Sequence, residues 1–409
     1  MSPAHRPLRI AFIHPALGFG GAGRLVVDAA THLQSVGHQV MVFTSHHDPN
    51  RCFPETSDGT LQVRVHGDFL PEHIGQRLQA PMMIARMAYA ALVLARSGPF
   101  DLIFCDLVAH AIPVLRRVGR APIIFYCHFP DLLLAPTGGW LYRAYRLPID
   151  RLEAYGMSLA DRVLVNSAFT ASAFRRTFPS LRSVALDVVF PGVDVGDHSH
   201  GADGPASGAD GNVEILSINR YVQAKNAGLA LEALAHVRTQ LPAATFANVR
   251  LTIAGGYDAA SPEHRETLRD LQARAQQLDL LEHVVFLRSV SDIERRRLLS
   301  ACRCVVYTPL AEHFGYGPIE AMASGRPVIA VNSGGPLETV RHGETGFLCA
   351  PTPEAFAEAL RPLITDAALA HRMGAAGRRH VAANFSRAAF GARLETIVRE
   401  VVSAAPRRR

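Results

Sequence analysis

The sequence predicts an α/β chain of two doubly wound, Rossmann-like domains, and three observations carry that prediction. Short apolar runs alternate with helical patterns along the chain, the order that builds parallel sheets. The alternation stops over residues 196–211, a polar, small-residue stretch that reads as a flexible linker, and then restarts. At 409 residues and 48% hydrophobic content, the chain has apolar surface for two cores.

In the first half, residues 9–14 read as a strand, 17–23 as a glycine-rich loop and 24–36 as an amphipathic helix stopped by Gly37. Strands follow at 39–43, 62–65, 101–104, 122–126, 162–165 and 188–190. After the linker, strands are expected near 213–218, 249–254, 284–287, 304–307 and 327–331, with helices between them. A last helix is expected over 387–402. These readings divide the chain into domains at 1–195 and 212–384, with a C-terminal helix and basic tail at 385–409. The longest apolar stretch, 81–95, is interrupted by Arg86 and is shorter than the roughly 20 residues a membrane span requires. It reads either as a buried helix or as an interfacial helix lying on lipid.

Composition excludes several classes. Net charge is only +6 with scattered positives, and no basic stripe with interleaved aromatics suggests nucleic acid. Six cysteines lack framework spacing and lie mostly in or beside apolar runs, as reduced core thiols in a cytosol-facing protein do. The opening residues are polar and basic, unlike a signal peptide. Walker A is absent, which disfavours an ATPase.

Two segments carry the chemistry. Glu312 and Glu320 flank a Phe314-Gly315-Tyr316-Gly317-Pro318 turn between an apolar run and a helical run, so the turn sits where open α/β sheets hold ligands. The glycines allow close backbone approach, Pro318 suits a first helical turn, and the two carboxylates are spaced to grip two polyol groups. Of 42 basic residues only Lys225 is a lysine. It follows Arg220 in a strand–loop–helix junction, which offers two cations to one polyanion.

Gly20 and Gly21 precede a helix and can face an anion. The Gly18-x-Gly20-x-x-Gly23 spacing matches a dinucleotide fingerprint, yet no acid ends the second strand. Gly334-Gly335 offers another possible anion site. His128 lies at a strand's carboxyl end, with His14 at the equivalent end of the first strand. Ligation by His14, His128 and Asp131 has no metal-site spacing. The chain also contains no Asp-x-Asp, so charge on a departing diphosphate would fall to side chains and helix dipoles, without metal.

Taken together, these residues resemble the retaining family-4 glycosyltransferases of GT-B fold. The resemblance narrows through Gly20-Gly21-Ala22, Tyr126-Cys127-His128-Phe129-Pro130-Asp131, Val165-Asn166-Ser167, Ser217-Ile218-Asn219-Arg220-Tyr221 and Glu312-His313-Phe314-Gly315. They resemble the α-1,3/α-1,6-mannosyltransferases that extend the dolichol-linked oligosaccharide.

That likeness implies an acceptor-side N-terminal domain, a nucleotide-sugar-binding C-terminal domain, a cleft between them and a final helix returning to the N-terminal domain. It implies GDP-mannose as donor, no required cofactor, a polyprenyl- or dolichyl-diphosphate-linked glycan as acceptor, and peripheral attachment to a membrane surface. Carried over by residue, Arg220 and Lys225 contact the diphosphate, Glu320 the ribose hydroxyls and Glu312 the transferring sugar. Phe314, Gly315, Tyr316 and Gly317 line the sugar–phosphate pocket, Gly20 and Gly21 lie near the phosphates, and His128 lies beside the reacting sugar. Gly23 departs from the family, which has glutamate there. The alternatives are a family-4 transferase using another nucleotide sugar, and a GT-B pair that binds without catalysis.

Overall fold

The computed structural model describes residues 6–74, 78–135, 138–196 and 212–405. The chain divides into two compact units, one of residues 1–192 with 387–409 and one of residues 193–386. The expected linker falls on 196–211, of which all but Gly196 lie outside the described residues, as do the last four residues of the basic tail.

The first unit holds a seven-stranded, wholly parallel sheet. Its strands are β1 (Arg9–Ala16), β2 (Gln39–His46), β3 (Gln62–Val65), β4 (Leu102–Asp106), β5 (Ile123–Cys127), β6 (Arg162–Val165) and β7 (Leu186–Val188), in the order 3-2-1-4-5-6-7. Both faces are covered, so the strands read as continuous apolar runs. Along β1 the side chains alternate: Ile10 and Phe12 enter one core, Ala11 and Ile13 the other. Helix Arg387–Ala404 seals the first of these cores with Phe390, Leu394, Ile397 and Val398. It crosses helix Gly21–Ser35 at Gly391, where a Cβ would lie 2.1 Å from the His32 ring.

The second unit has a six-stranded parallel sheet of β8 (Val213–Ile218), β9 (Val249–Gly255), β10 (Val284–Arg288), β11 (Cys304–Tyr307), β12 (Val328–Val331) and β13 (Gly346–Cys349). Their order is 10-9-8-11-12-13. Both sheets reverse their winding once, between β1 and β4 and between β8 and β11. Those reversals are the switch points at which open sheets leave a crevice beyond the strand ends.

Local differences from expectation have physical causes. Helix Gly21–Ser35 begins three residues early, because Gly21, Ala22 and Gly23 form its first turn. A Cβ on Gly23 would lie 2.6 Å from the Gly18 carbonyl, so this loop geometry has no room for a side chain there. The strand expected at 188–190 runs instead over Leu186–Val188. The stretch 81–95 belongs to helix Gln79–Arg96, whose Met87, Ala90, Ala91 and Leu94 are buried in the first unit's core. Arg86, read as an interruption, is itself buried and donates to the Ser45 carbonyl at 3.1 Å and to Asp68 at 2.5 Å. No described helix is long and apolar enough to cross a membrane. All six cysteines are free and buried.

Candidate active site

In the second unit, the loop after β8 and the loop after β11 meet at the switch point. Asn219 and Tyr221 extend the ladder by donating to the carbonyls of Ala254 and Gly256. The Tyr221 hydroxyl then donates to the Ile253 carbonyl at 2.8 Å, which fixes the loop. A short turn, Gln223–Lys225, ends on Asn226 at φ 49°. The Lys225 carbonyl accepts a 2.7 Å bond from the Thr308 hydroxyl just past β11. The lysine's backbone is thus tied to the neighbouring strand, and its ammonium forms an ion pair with Glu312.

Glu312 is the centre of this cluster, because the Tyr307 hydroxyl also donates to its Oε2 at 2.8 Å. Burial pushes the Glu312 carboxyl up, but Lys225 and the Tyr307 bond outweigh that and hold it below the usual range. Burial and the facing carboxylate push the Tyr307 phenol well up, so Tyr307 stays a donor. Burial also lowers the neighbouring His313.

Gly315, at φ 87°, opens helix Tyr316–Ala323 with no side-chain cap, leaving that helix end positive. The Phe314 ring is buried and packs edge-on against Tyr316 at 5.5 Å, so this residue offers its backbone. A Cβ on Gly317 would lie 3.0 Å from the Tyr307 ring. Pro318 is the helix's third residue. Glu320, within the helix, pairs with Arg295. Arg220 is exposed and makes no side-chain hydrogen bond or ion pair among the described residues.

Gly334-Gly335, read from the sequence as another possible anion site, has a packing role in the fold. The Gly335 N–H donates to the Glu312 carbonyl at 2.8 Å, and a Cβ on Gly335 would lie 2.1 Å from the Phe314 carbonyl. These glycines let β12's following turn close against the Glu312 loop.

In the first unit, Asp106 ends β4 beside His14 of β1. Its Oδ2 meets His14 Nδ1 at 2.8 Å and its Oδ1 meets His128 Nε2 at 2.9 Å. Asp106 has no solvent exposure. Burial drives its carboxyl upward, yet the two histidines outweigh that and hold it low, as an anion between two rings. Asp131 belongs to a separate group: it pairs with Arg146 at 2.7 Å, and its backbone N–H donates to Glu153 at 2.9 Å. Gly20 and Gly21 are exposed at the start of helix Gly21–Ser35, which has no acidic residue in its first turn.

Sequence reasoning missed Asp106, Tyr307 and Arg295. Asp106 and Tyr307 are strand-final polar residues, a position that could have singled them out. Arg295 sits in the charged run Asp292 to Arg297 and reads as solvated helix surface. Among the described residues, no group of three or more His, Cys, Asp or Glu is placed to hold a metal.

Comparison with known proteins agrees across the chain. Residues 19–197 match the family described as Glycosyltransferase Family 4, and residues 205–380 match Glycosyl transferases group 1. The chain is 44% identical to the α-1,3/1,6-mannosyltransferase ALG2 of Mus musculus over 401 residues, covering 96% of each. It is 45% identical to the ALG2 of Homo sapiens over 403 residues, again covering 96% of each. The sucrose-phosphate synthase of Thermosynechococcus elongatus shares the fold at TM-score 0.76 and 23% identity, over 97% of this chain and 99% of that one. Identity at this level over nearly the full length is decisive: the chain belongs to the α-1,3/1,6-mannosyltransferase family, within the family-4 glycosyltransferases.

Proposed function

We propose that the chain transfers mannose from GDP-mannose, with retention, to a polyprenyl- or dolichyl-diphosphate-linked Man-GlcNAc2 glycan, first in α-1,3 and then in α-1,6 linkage. It does so at the cytosol-facing surface of a membrane. The observation that supports this reading most is the Lys225–Glu312–Tyr307 cluster. The chain's one lysine is held by a carboxylate at the second sheet's switch point, beside the uncapped start of helix Tyr316–Ala323.

In this reading Lys225 and the exposed Arg220 meet the diphosphate, with N–H groups of the 315–317 turn beside them. Glu320, oriented by Arg295, takes the ribose hydroxyls, and Glu312 takes hydroxyls of the mannose. Gly20 and Gly21 present N–H groups to phosphate, and His128, its ring set by Asp106, faces the reacting sugar. These cations stabilise the leaving diphosphate without a divalent ion. The bond from the anomeric carbon to phosphate breaks, the acceptor oxygen bonds to the same face, and its proton passes to the leaving phosphate oxygen. No protein nucleophile is required.

The test is a panel of nucleotide sugars in thermal shift and transfer assays, with NMR of the product's anomeric centre. GDP-mannose should stabilise the fold most, by roughly 2.7 kcal/mol at about 100 times its dissociation constant, and the product should be the α-mannoside. A larger response to a UDP-sugar would favour a family-4 enzyme of different donor. A β-mannoside would overturn retention.

A further inference from the structure

Helix Trp140–Ser158 departs from the usual pattern of a surface helix by carrying large apolar side chains on its outer side as well as on its buried one, which includes Met157. Its inner face, with Arg146, Ile149, Glu153 and Gly156, is buried. A Cβ on Gly156 would lie 2.1 Å from the Ala109 carbonyl, so the helix is seated close against its unit. At helical spacing on the other side stand Trp140, Ala144, Leu147, Arg151 and Tyr155, all exposed. Trp140 is 76% exposed and Leu141 66%. The short helix Asp131–Leu134 adds three exposed leucines. Surface helices ordinarily turn polar side chains outward, and a contiguous apolar face marks a binding surface.

Charge narrows the occupant. Arg143 and Arg151 are exposed on this side, with no side-chain partner among the described residues. The neighbouring acids are already engaged: Arg146 binds Asp131 at 2.7 Å and Asp150 at 2.6 Å, and Glu153 is buried. Apolar side chains interspersed with unpaired arginines, and no unpaired carboxylate among them, suit a bilayer whose headgroups are anionic.

We propose that helices Asp131–Leu134 and Trp140–Ser158 form a lipid-docking face that sets Trp140, Leu141 and Leu147 into the interface of an anionic bilayer. It supplies a membrane side for the lipid-linked acceptor proposed above, but it does not depend on which nucleotide sugar is used. Helix Gln79–Arg96, expected to be the lipid contact if any were, instead spends its apolar face on the core.

Trp140 is the chain's only tryptophan, so its emission reports this face alone. The full chain is titrated with phosphatidylcholine vesicles, with and without phosphatidylserine, and partition is read by co-sedimentation. We expect a blue shift and quenching by brominated lipid with the anionic vesicles, and a weaker response to the neutral ones. Leu141→Asp with Leu147→Asp should weaken partition roughly tenfold or more, with the melting temperature and transfer to a lipid-free acceptor glycan unchanged. Tyr89→Asp, on helix Gln79–Arg96, should leave partition unchanged.

An absent shift, an equal response to neutral vesicles, or an equal loss from Tyr89→Asp would each overturn the proposal. So would a lipid-free blue shift that grows with protein concentration, which would assign the face to a second copy. Failure of transfer with GDP-mannose would count against the donor reading and leave the vesicle result standing.

Discussion

The two units place charge at their switch points in opposite ways. In the first, one fully buried carboxylate, Asp106, serves two histidines and faces no lysine or arginine. In the second, each carboxylate has its own cation, Glu312 with Lys225 and Glu320 with Arg295, and all four side chains keep some solvent exposure. A buried anion with both oxygens committed is a fixed orienting element, since removing either partner strands charge in a dry site. A partly exposed ion pair is exchangeable, since an incoming polyanion can compete for the cation. The contrast fits the proposed roles, positioning in the first unit and ligand-responsive electrostatics in the second.

The largest expected effect is on the exchangeable side. Lys225→Ala should lower kcat by roughly 10²–10³-fold while the melting temperature changes little, and Lys225→Arg should restore only part of the activity, because a fork does not replace a point charge. Near-normal turnover in both would remove the second unit's side of the comparison.

Asp106→Asn keeps the shape but can no longer accept from both rings. We expect kcat to fall by about 10–100-fold, the scale of one lost charge-assisted hydrogen bond, with GDP-mannose affinity retained. An equal loss of donor affinity would mean that the first unit's anion also acts in ground-state binding.

Glu153 sharpens the contrast, as a buried acid of the first unit with no cation beside it. Burial raises it from 4.5 to about 7. A raised folded pKa gives stability that is complete below pH 4.5 and is lost as pH rises to about 7, by roughly 3 kcal/mol. Glu153→Gln should flatten that part of the stability–pH curve and stabilise the chain at pH 8. A slope unchanged in the variant would place the titration elsewhere.

The smallest expected change is none: transfer should survive saturating EDTA. A strict need for added Mg²⁺ or Mn²⁺ would show that the second unit's cations do not suffice for the leaving group.

Much of this was legible in the sequence because the relevant physics is local. Strand–loop–helix order placed Lys225, Glu312 and His128 at strand ends, and alternation separated the two sheets. What escaped depended on long-range pairing or on short elements. Asp106 acquires its meaning from His14, 92 residues away, and from His128, and nothing in Asp101 to Asp106 announces either. Tyr307 reads as core because it closes an apolar strand, and only the fold turns its hydroxyl to Glu312. Strand β13 begins at a glycine whose Cβ would strike the Val328 carbonyl, so its first residue reads as loop and only Phe347, Leu348 and Cys349 are left to signal a strand. At Gly334-Gly335 the glycines also serve a close backbone crossing that sequence spacing does not encode.

The placement of helix Arg387–Ala404 in the first unit has a consequence for the order in which the chain can mature on the ribosome. The second unit is one uninterrupted stretch, complete once Ser386 has emerged. The first unit has by then been exposed far longer, but Leu25, Leu33 and their neighbours still await Phe390, Leu394, Ile397 and Val398. The half synthesised first is therefore the half that closes last, and its open flank is where a chaperone would be needed during translation. Nascent chains in which Ser386 is followed by an unstructured linker long enough to clear the exit tunnel should protect the second unit from protease while leaving the first one cleavable.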